Sequence, residues 1–385
     1  MRILQISNYF KPSWEAGGPP RAAYEISRRL VERGHEVTVY TTDGFKNRLN
    51  ITKNRAIDVD GIKTYYFRNL SNFLARKVNI PIPYYMPLVT RKEIKNFDVI
   101  HIHEYRSFLP IFSYHYVKKH NVPFVLQARG SILPFFEKVS FKRLFDSIIG
   151  NSILNDANVL LALTETESQQ YKMMGVSPDK IKILPNGIDS HKNIKNDFRS
   201  RYGITDDEII LLFLGRIHKI KGIDLLLNAF KDLVAEFQNI KLVIVGPDDG
   251  FENYLRSFSK EFKINEKVVF TGPLYGNRKF EAYSSSDVYI LPSIYEAFPN
   301  TVLEALSFEL PVIVTKGCSI ANIIDKRCGL VIDYQKDDLK KALIDLIMDE
   351  GLRKNFGRYG KKLVNTDYSW SKVIDNLENV YNQIV

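Results

Sequence analysis

Short apolar runs recur along this chain, and a helical stretch follows most of them. Runs of four to six apolar residues that alternate with helices are typical of parallel strands buried on both faces. One set precedes Gly187 and a second set begins after Asp207. The pattern predicts an α/β protein with two doubly wound parallel sheets. The runs are RILQIS, EVTVYTT, IKTYYF, DVIHIH, PFVLQA, NVLLAL and KIKILP, then IILLFLG, KLVIVG, KVVFTG, VYILPS, PVIVTK and GLVID.

A polar stretch that begins near Gly187 separates the two sets and reads as a linker. At 385 residues the chain exceeds the size at which a single hydrophobic core usually stops growing. We therefore predict one domain over residues 1–187 and another over 188–368. A last helix is expected in 369–385. Its apolar side needs an apolar surface to pack against, and we expect the helix to cross back to the first domain to reach one. Its apolar residues at helical spacing are Trp370, Val373, Leu377 and Val380.

The excess positive charge lies in the first half of the chain. Residues 1–190 hold 27 Lys and Arg against 17 Asp and Glu, whereas the remainder holds 27 of each. Such a distribution predicts an anionic partner, namely membrane lipid, a polyanionic acceptor or nucleic acid. A diffuse surface charge that keeps the protein soluble is the alternative interpretation.

The sequence also indicates the cellular compartment. No apolar run approaches the roughly eighteen residues of a membrane span, and the first residues lead directly into a strand-like pattern without a signal-peptide layout. Cys318 and Cys328 have no metal-ligand spacing. We expect a cytoplasmic protein, with a peripheral position at the inner face of the cytoplasmic membrane as the further expectation from the basic first half.

Ligands of open parallel sheets bind beyond the carboxyl ends of the strands. After the first strand, Gly17 and Gly18 precede a helix that is expected to end at Gly34. Glycines at a helix N-terminus let the backbone approach a phosphate or a sugar closely, although a plain flexible turn would look the same. The three-glycine spacing of dinucleotide sites is absent, which argues against NAD.

After the first strand of the second domain, the turn LLFLGRIHKIKG brings Arg216 and Lys221 to the strand end. The helix that starts near Gly222 points its positive pole in the same direction. Two cations and a helix N-terminus suit a diphosphate. Solvated loop cations are the alternative interpretation of this pair.

Two glutamates stand out in the almost uncharged stretch PSIYEAFPNTVLEALSFELPVIV. Glu296 and Glu304 are too far apart for an acid/base pair on one atom, so they are expected to hold two ends of an extended ligand. Asn300 or Thr301 is the predicted helix cap, with Glu304 in the first turn and Pro311 as the limit of the helix. Backbone amides expected to face a phosphate are those of Phe298, Asn300 and Thr301.

These motifs resemble a known family. GRIHKIKG is similar to the G-R-x4-K-G element, and PSIYEAFPNTVLEA to the P-S-x2-E-x-F-x5-E-A element, of family 4 glycosyltransferases with the GT-B fold. AGGPPR and PNGID match further segments in the expected order. The resemblance implies two Rossmann-like domains that face each other across a cleft, of which the second binds a nucleotide sugar and the first binds the acceptor.

The resemblance also implies roles for the residues. Arg216 and Lys221 would neutralise the departing diphosphate, Glu304 would bind the ribose, and Glu296 would bind the transferred sugar. Gly17 and Gly18 would bind the donor, and Gly18 would approach the donor or the acceptor through its backbone. Such enzymes retain anomeric configuration and use no metal, so no cofactor is expected. One departure is Pro299, which stands where many members have glycine and which supplies no amide.

In the first domain the resemblance makes His103 a candidate catalytic and acceptor contact, whereas His101 is expected to be structural. Arg129 follows the next strand and is a candidate for an anionic acceptor such as a lipid diphosphate, or else for a structural hydrogen bond. The Asp58–Asp60 pair precedes Gly61 and is predicted to form a hairpin turn rather than a D-x-D metal site.

Two segments mix aromatic and basic side chains, as surfaces that dock on anionic membranes do. One is residues 135–149, and the other is residues 63–95. The second segment contains Tyr65, Tyr66, Phe67, Arg68, Phe73, Arg76, Lys77, Tyr84, Tyr85, Arg91, Lys92 and Lys95.

The sequence thus predicts a retaining glycosyltransferase that moves a hexose or N-acetylhexosamine from a nucleoside diphosphate sugar, UDP rather than GDP, to a hydroxyl of a glycan or lipid-linked oligosaccharide in surface polysaccharide synthesis. A nucleotide-sugar epimerase of the same fold is one alternative. A non-catalytic polyanion binder is another, but no nucleic-acid-binding motif appears, so nucleic acid is not an expected partner.

Overall fold

The structure is a computed structural model that describes residues 1–45, 47–73, 75, 81–132, 139–189 and 196–385. The chain divides into two compact units. The first combines Met1–Asn186 with Val373–Val385, and the second is Gly187–Lys372. Most of the last helix, Trp370–Ile384, therefore belongs to the first unit.

The first unit contains a mixed sheet with the strand order β3-β4-β2-β1-β5-β6-β7-β8. All neighbours run parallel except β3, which pairs antiparallel with β4 at the sheet edge. The seven predicted runs are all strands. The strands are β1 (Arg2–Ile6), β2 (Glu36–Thr42), β3 (Ala56–Val59), β4 (Ile62–Phe67), β5 (Val99–His103), β6 (Phe124–Gln127), β7 (Val159–Ala162) and β8 (Ile181–Ile183).

The edge strand β3 and its partner β4 form the hairpin that the sequence predicts at Asp58–Asp60. Asp60 and Gly61 both have positive φ, 54° and 79°, as a tight two-residue turn requires. The Asp60 carboxylate accepts hydrogen bonds from Lys11 and Tyr24, each at 2.5 Å. The prediction of a hairpin at this place is confirmed.

Helices cover the sheet of the first unit. Helix α1 begins at Gly18 directly after Gly17, and it buries Ala23, Ile26 and Leu30 as its apolar spacing predicts. A π-helical turn at Asp146–Gly150 joins α4 to α5. The helices are α1 (Gly18–Glu32), α2 (Met86–Glu93), α3 (Phe108–His120), α4 (Val139–Phe145), α5 (Asn151–Asp156) and α6 (Glu165–Met173).

The second unit contains an all-parallel sheet with the order β11-β10-β9-β12-β13-β14. Its six strands coincide with the six predicted runs, and central strands such as β9 are buried almost throughout because helices cover both faces. The strands are β9 (Ile209–Leu214), β10 (Ile240–Val245), β11 (Val268–Gly272), β12 (Val288–Leu291), β13 (Val312–Thr315) and β14 (Gly329–Ile332).

The helices of this unit follow the strands in alternation. They are α7 (Phe198–Arg201), α8 (Ile223–Val234), α9 (Glu252–Glu261), α10 (Asn277–Ser284), α11 (Asn300–Ser307), α12 (Ala321–Ile324), α13 (Lys336–Met348) and α14 (Glu350–Asp367), and the chain ends with α15 (Trp370–Ile384). The predicted α/β class with two Rossmann-like sheets is confirmed. None of the helices in the described part of the chain is both long and apolar enough to cross a bilayer.

Each sheet has one place where the strand order reverses. In the first sheet the chain proceeds outward from β1 on one side and from β5 on the other. In the second sheet the reversal lies between β9 and β12. Loops that leave neighbouring strands at such a switch point diverge and open a crevice, which is where ligands of doubly wound folds bind.

The aromatic residues of 63–95 do not form one surface. Tyr65, Tyr66 and Phe67 lie in β4 and are buried in the core of the first unit, which corrects their assignment to a membrane-facing segment. They are buried because β4 is an inner strand with β2 on one side and β3 on the other. Residues Arg76 and Lys77, and residues 135–138, lie outside the described part of the chain. The exposed aromatics of this segment are Phe73, Tyr84 and Tyr85.

Candidate functional site

The switch point of the second sheet brings together the loops that follow β9 and β12. Gly222 lies at φ 67°, and a Cβ atom there would overlap the carbonyl oxygen of Pro292. The Ile294 N–H donates to the carbonyl oxygen of Ile220 at 2.9 Å. Glycine at 222 therefore allows the two loops to touch, and it also caps α8 in a left-handed conformation that favours glycine.

This contact places Lys221 against Glu296. The Lys221 ammonium donates to Glu296 Oε1, and the Ser293 hydroxyl donates to the same oxygen at 2.7 Å. Both charged side chains are largely buried, at 16% and 12% exposure. Within the described residues, both hydrogen bonds of this carboxylate fall on Oε1, so Oε2 retains its capacity to accept a ligand hydroxyl.

The Glu296 loop is also fixed from the next strand. Glu296 donates its N–H to the Gly317 carbonyl at 3.0 Å and accepts the Ser319 N–H at 3.0 Å. A Cβ atom on Gly317 would overlap the Ile294 carbonyl. The loop is thus held by backbone contacts on both sides, and the carboxylate is preorganised before any ligand binds.

Arg216 lies at the end of β9 but not in the Lys221–Glu296 contact. Its side chain is 57% exposed and forms an ion pair with Asp249 at 2.5 Å. Exposed pairs of this kind contribute little to stability because solvent screens them. The guanidinium can therefore exchange Asp249 for a ligand phosphate at small cost.

The helix start in the Glu296–Glu304 stretch differs from the prediction. Helix α11 begins at Asn300 with Pro299 as its N-cap residue, so neither Asn300 nor Thr301 is the cap. The Thr301 side chain instead hydrogen-bonds the hydroxyl of Tyr289 on β12 at 2.7 Å. Its backbone N–H lies in the first turn, where the helix offers no acceptor.

The position of Glu304 is corrected as well. As the fifth residue of α11 it lies in the second turn, because the helix starts at Asn300 itself. The helix also ends at Ser307, well before Pro311, and Glu309 adopts a left-handed conformation with φ 62°.

Glu304 has partners that the sequence analysis missed. Lys279 Nζ contacts Oε1 at 2.7 Å, and the buried Tyr283 hydroxyl donates to Oε2 at 2.9 Å. Burial and the charge of Glu304 raise the pKa of Tyr283 well above its usual value, so the phenol stays a donor. Lys279 and Tyr283 stand four positions apart on α10, and that helical spacing was the available signal. Glu304 thus has a positioned carboxylate with spare acceptor capacity for hydroxyls.

The side chain of Phe298 packs inside the fold, so its expected ligand contact is through the backbone. Its ring packs against the core of the second unit and lies 6.5 Å from the ring of Tyr368. Pro299 has no N–H. The backbone N–H groups near the helix start are therefore those of Phe298 before the proline and of Asn300 and Thr301 after it.

The first unit carries the remaining candidates. Gly17 has φ 102° and caps α1, and a Cβ atom there would meet open space, so its glycine requirement is conformational. Gly18 is the first helical residue. Neither residue adds a side chain at the N-terminus of α1, and a ligand contact there stays a prediction.

His103 and Arg129 contact each other. Arg129 donates to His103 Nδ1 from Nε at 3.1 Å and from Nη2 at 2.9 Å, and it donates from Nη1 to the Asn186 side chain at 2.9 Å. Because Nδ1 is an acceptor, the imidazole proton must lie on Nε2, which donates to Gln5 Oε1 at 2.5 Å.

The same hydrogen-bond chain continues to the last helix. Gln5 Nε2 donates to the Tyr381 hydroxyl at 3.2 Å, and that hydroxyl donates to His101 Nδ1 at 2.7 Å. Burial lowers the pKa of both histidines well below the usual value, so both rings are neutral. His101 is fully buried, and its structural role stays a prediction. Both nitrogens of His103 are used inside the fold, so its arrangement suits the positioning of Arg129, and a direct ligand contact stays a prediction.

Two family models match consecutive parts of the chain. Residues 16–192 match the model described as Glycosyltransferase Family 4, and residues 194–363 match Glycosyl transferases group 1. An uncharacterized glycosyltransferase of Methanocaldococcus jannaschii is 26% identical over 398 residues, which cover 99% of this chain and 98% of the relative. The D-inositol 3-phosphate glycosyltransferase of Stackebrandtia nassauensis is 25% identical over 419 residues, which cover 100% of this chain and 92% of the relative.

The fold has a solved counterpart. Anabaena HepE, crystallised in complex with UDP, matches with a TM-score of 0.80 at 14% identity, over 100% of both chains. The motifs, the two sheets and the matched models agree over nearly the whole length. The chain therefore belongs to the family 4, or group 1, glycosyltransferases and has the GT-B fold.

Proposed function

We propose that the protein is a retaining glycosyltransferase that uses a UDP-sugar and transfers a hexose or N-acetylhexosamine to a hydroxyl of a glycan or lipid-linked oligosaccharide. The observation that carries the proposal is the Lys221–Glu296 pair at the switch point of the second sheet. In this contact Lys221 supplies a cation for a phosphate, and Glu296 supplies a carboxylate for sugar hydroxyls. The presence of UDP in the HepE complex favours uridine as the base.

Each side chain has a distinct role in this proposal. Lys221, at the N-terminus of α8, stabilises the negative charge that grows on the departing diphosphate, and Arg216 leaves Asp249 to assist it. Glu304 accepts the ribose hydroxyls while Lys279 and Tyr283 hold it in place. Glu296 accepts hydroxyls of the transferred sugar through Oε2.

The chemical step needs no separate base. The acceptor hydroxyl approaches the anomeric carbon on the face from which the diphosphate departs, and its proton passes to a leaving phosphate oxygen. The C–O bond to the diphosphate breaks as the new glycosidic bond forms, so configuration is retained. Because Lys221 and Arg216 supply the positive charge, we expect no requirement for a metal ion.

Nucleotide binding tests the donor assignment. We expect UDP to raise the thermal midpoint of the protein, to about the same extent with and without EDTA, and GDP, ADP, dTDP and NAD to have much smaller effects. A ligand at about 100 times its Kd adds roughly 2.7 kcal/mol to the free energy of unfolding. Arg216→Ala should reduce the UDP effect because it removes one phosphate contact. The measurement is differential scanning fluorimetry.

The outcome has a matched control. Arg256 on α9 is another exposed arginine of the second unit, and it forms an ion pair with Glu252. Arg256→Ala should leave the UDP effect unchanged. Stabilisation by NAD instead of UDP, or a UDP effect that EDTA removes, would contradict the proposed donor site. Conversion of the donor to an isomer without any acceptor would favour the epimerase.

We further propose that the first unit docks on an anionic membrane. Helices α2 and α3 pack together, and Ile149 of the π-helical turn lines an apolar cavity with Ile111 and Tyr114 of α3. The exposed apolar side chains of these elements include Leu88 on α2 at 55%, Leu144 on α4 at 55% and Ile148 in the π-helical turn at 72%. Arg91 and Lys92 follow Leu88 by three and four positions on α2, and Arg143 directly precedes Leu144 on α4. Apolar side chains among cations suit anionic lipid headgroups.

Liposome binding checks this surface. We expect the double variant Leu144→Ser/Ile148→Ser to bind vesicles with 30% phosphatidylglycerol about 100-fold more weakly than the native protein, because the two buried side chains contribute roughly 1.5 kcal/mol or more each. Binding of the native protein should weaken with salt. Co-sedimentation measures both effects. Met173→Ser is the control, since Met173 is 74% exposed on α6. Equal loss in the control, or none in the double variant, would refute this face.

A further inference from the structure

Asp249, the partner of Arg216, is held in place by the backbone of its own loop. The loop after β10 lies against the loop after β9, since a Cβ atom on Gly246 would overlap the carbonyl oxygen of Gly215. The Asp249 N–H donates to the carbonyl oxygen of Ile217 at 3.1 Å. Because Ile217 directly follows Arg216, this bond fixes the backbone of the carboxylate next to the backbone of its cation.

The residue before Asp249 closes the same loop. Asp248 Oδ1 accepts the N–H groups of Gly250, Phe251 and Glu252 at 2.9, 2.9 and 3.0 Å, where α9 begins. Within the described part of the chain, the side-chain contact of the Asp249 carboxylate is the ion pair with Arg216. Asp248 therefore shapes the loop, and the fold of the loop does not need the charge of Asp249.

This ion pair places a carboxylate where the diphosphate is proposed to bind. Arg216 Nη1 donates to Asp249 Oδ2 at 2.5 Å, and both side chains are about half exposed. A diphosphate that reaches the guanidinium either displaces Asp249 or comes to lie beside it. Displacement loses the ion pair, and a shared guanidinium brings like charges close together. In both cases Asp249 lowers the affinity for a diphosphate.

Donor and product of the proposed reaction differ in charge at this position. In a UDP-sugar the terminal phosphate is esterified to the sugar and carries a single negative charge. After transfer the same phosphate has a free oxygen, whose second ionisation has a pKa of about 6, so at neutral pH it carries more negative charge. A carboxylate beside the diphosphate therefore repels UDP more strongly than it repels the UDP-sugar.

We propose that Asp249 is a specificity-determining residue that disfavours the product UDP relative to the donor UDP-sugar. It acts in two ways, by competing for Arg216 and by repelling the additional charge of the product. The inference deepens the proposed function and rests on it for the identity of the donor. Its consequence is faster release of UDP, a step that limits turnover in many transferases of this kind of chemistry.

Isothermal titration calorimetry with the full chain tests the role of Asp249. The probes are UDP, UDP-glucose, UDP-galactose and UDP-N-acetylglucosamine. We expect Asp249→Asn, which keeps the shape and removes the charge, to bind UDP about tenfold more tightly than the native protein. The sugar nucleotide that binds should gain only about threefold, because it carries less charge. Both gains should shrink at about 0.5 M salt, which screens exposed charges.

Two further variants complete the test. Glu261→Gln removes an exposed carboxylate from the end of α9 and should leave all affinities unchanged. In the Arg216→Ala background the gain of Asp249→Asn for UDP should fall to about threefold, because the group for which Asp249 competes is gone and only the repulsion remains. Thermal midpoints establish that each variant is folded.

The outcomes separate this inference from the proposed function. A larger gain for UDP than for the sugar nucleotide supports the role of Asp249. Equal gains refute the selection between product and donor, and a full tenfold gain in the Arg216→Ala background refutes the competition. Native-like UDP affinity of Asp249→Asn refutes the inference and leaves the donor site standing. Absence of UDP binding in every variant, or UDP binding without any sugar nucleotide, refutes the proposed donor and the inference with it.

Discussion

Replacing Lys221 by alanine is expected to lower kcat/KM for UDP release from a UDP-sugar about 1,000-fold. The ammonium is the only charged donor to Glu296 among the described contacts, and it lies at the N-terminus of α8 where a diphosphate would bind. Loss of one preorganised group that stabilises developing charge typically costs about 100- to 1,000-fold in rate. Glu296 would also be left largely buried without its partner, which adds to the loss. Steady-state kinetics of UDP release measure the effect.

Lys219 provides the matched control for this prediction. It belongs to the same 3-10 turn, Lys219–Lys221, but its side chain is exposed, so Lys219→Ala should change kcat/KM less than about twofold. Thermal midpoints of both variants separate a kinetic effect from unfolding. Retention of a tenth or more of native activity in folded Lys221→Ala would contradict the proposed role of the lysine.

Gly222→Ala is expected to lower the free energy of unfolding of the second unit by about 3 kcal/mol or more and to abolish UDP stabilisation. Positive φ at 67° costs an alanine roughly 1–2 kcal/mol, and its Cβ would overlap the Pro292 carbonyl oxygen, so the two loops must separate. Separation of these loops also breaks the Lys221–Glu296 contact. Urea denaturation and the UDP thermal shift measure the two effects.

The overlap can be separated from the backbone strain. Gly203 has nearly the same φ, 63°, and a Cβ atom there meets nothing within 4 Å. Gly203→Ala should therefore cost only the conformational term, roughly 1–2 kcal/mol, and should leave the UDP effect intact. Equal destabilisation in the two variants would show that the close approach of Gly222 to Pro292 is unimportant.

The strands were predictable because local chemistry determines them. A run such as IILLFL can bury all its side chains only inside a sheet that helices cover on both faces, and it forms β9. Gly61 after Asp60 identified the hairpin because a two-residue turn needs residues that adopt positive φ. The exception is β3, whose AIDV pattern has alternating exposure at an edge and lacks a continuous apolar run.

The helix start at Asn300 was not predictable in the same way. Asn and Thr are common caps, and the sequence offered both next to a proline. Thr301, however, finds a better partner in Tyr289 on β12, a residue of another element. The competition between a local cap and a tertiary hydrogen bond decides such cases, and only the packed structure contains both partners.

By itself the sequence determined the fold class, the order of the strands along the chain and the residue types at the switch points. These depend on short-range patterns: apolar runs, turn glycines and charged residues just after a strand. The tertiary structure alone decided which charges meet. Lys221 contacts Glu296 and not Glu304, Glu304 contacts Lys279, and Arg216 contacts Asp249. Separation along the chain carries no information about such pairs, because the strand order that brings their loops together is a property of the whole sheet.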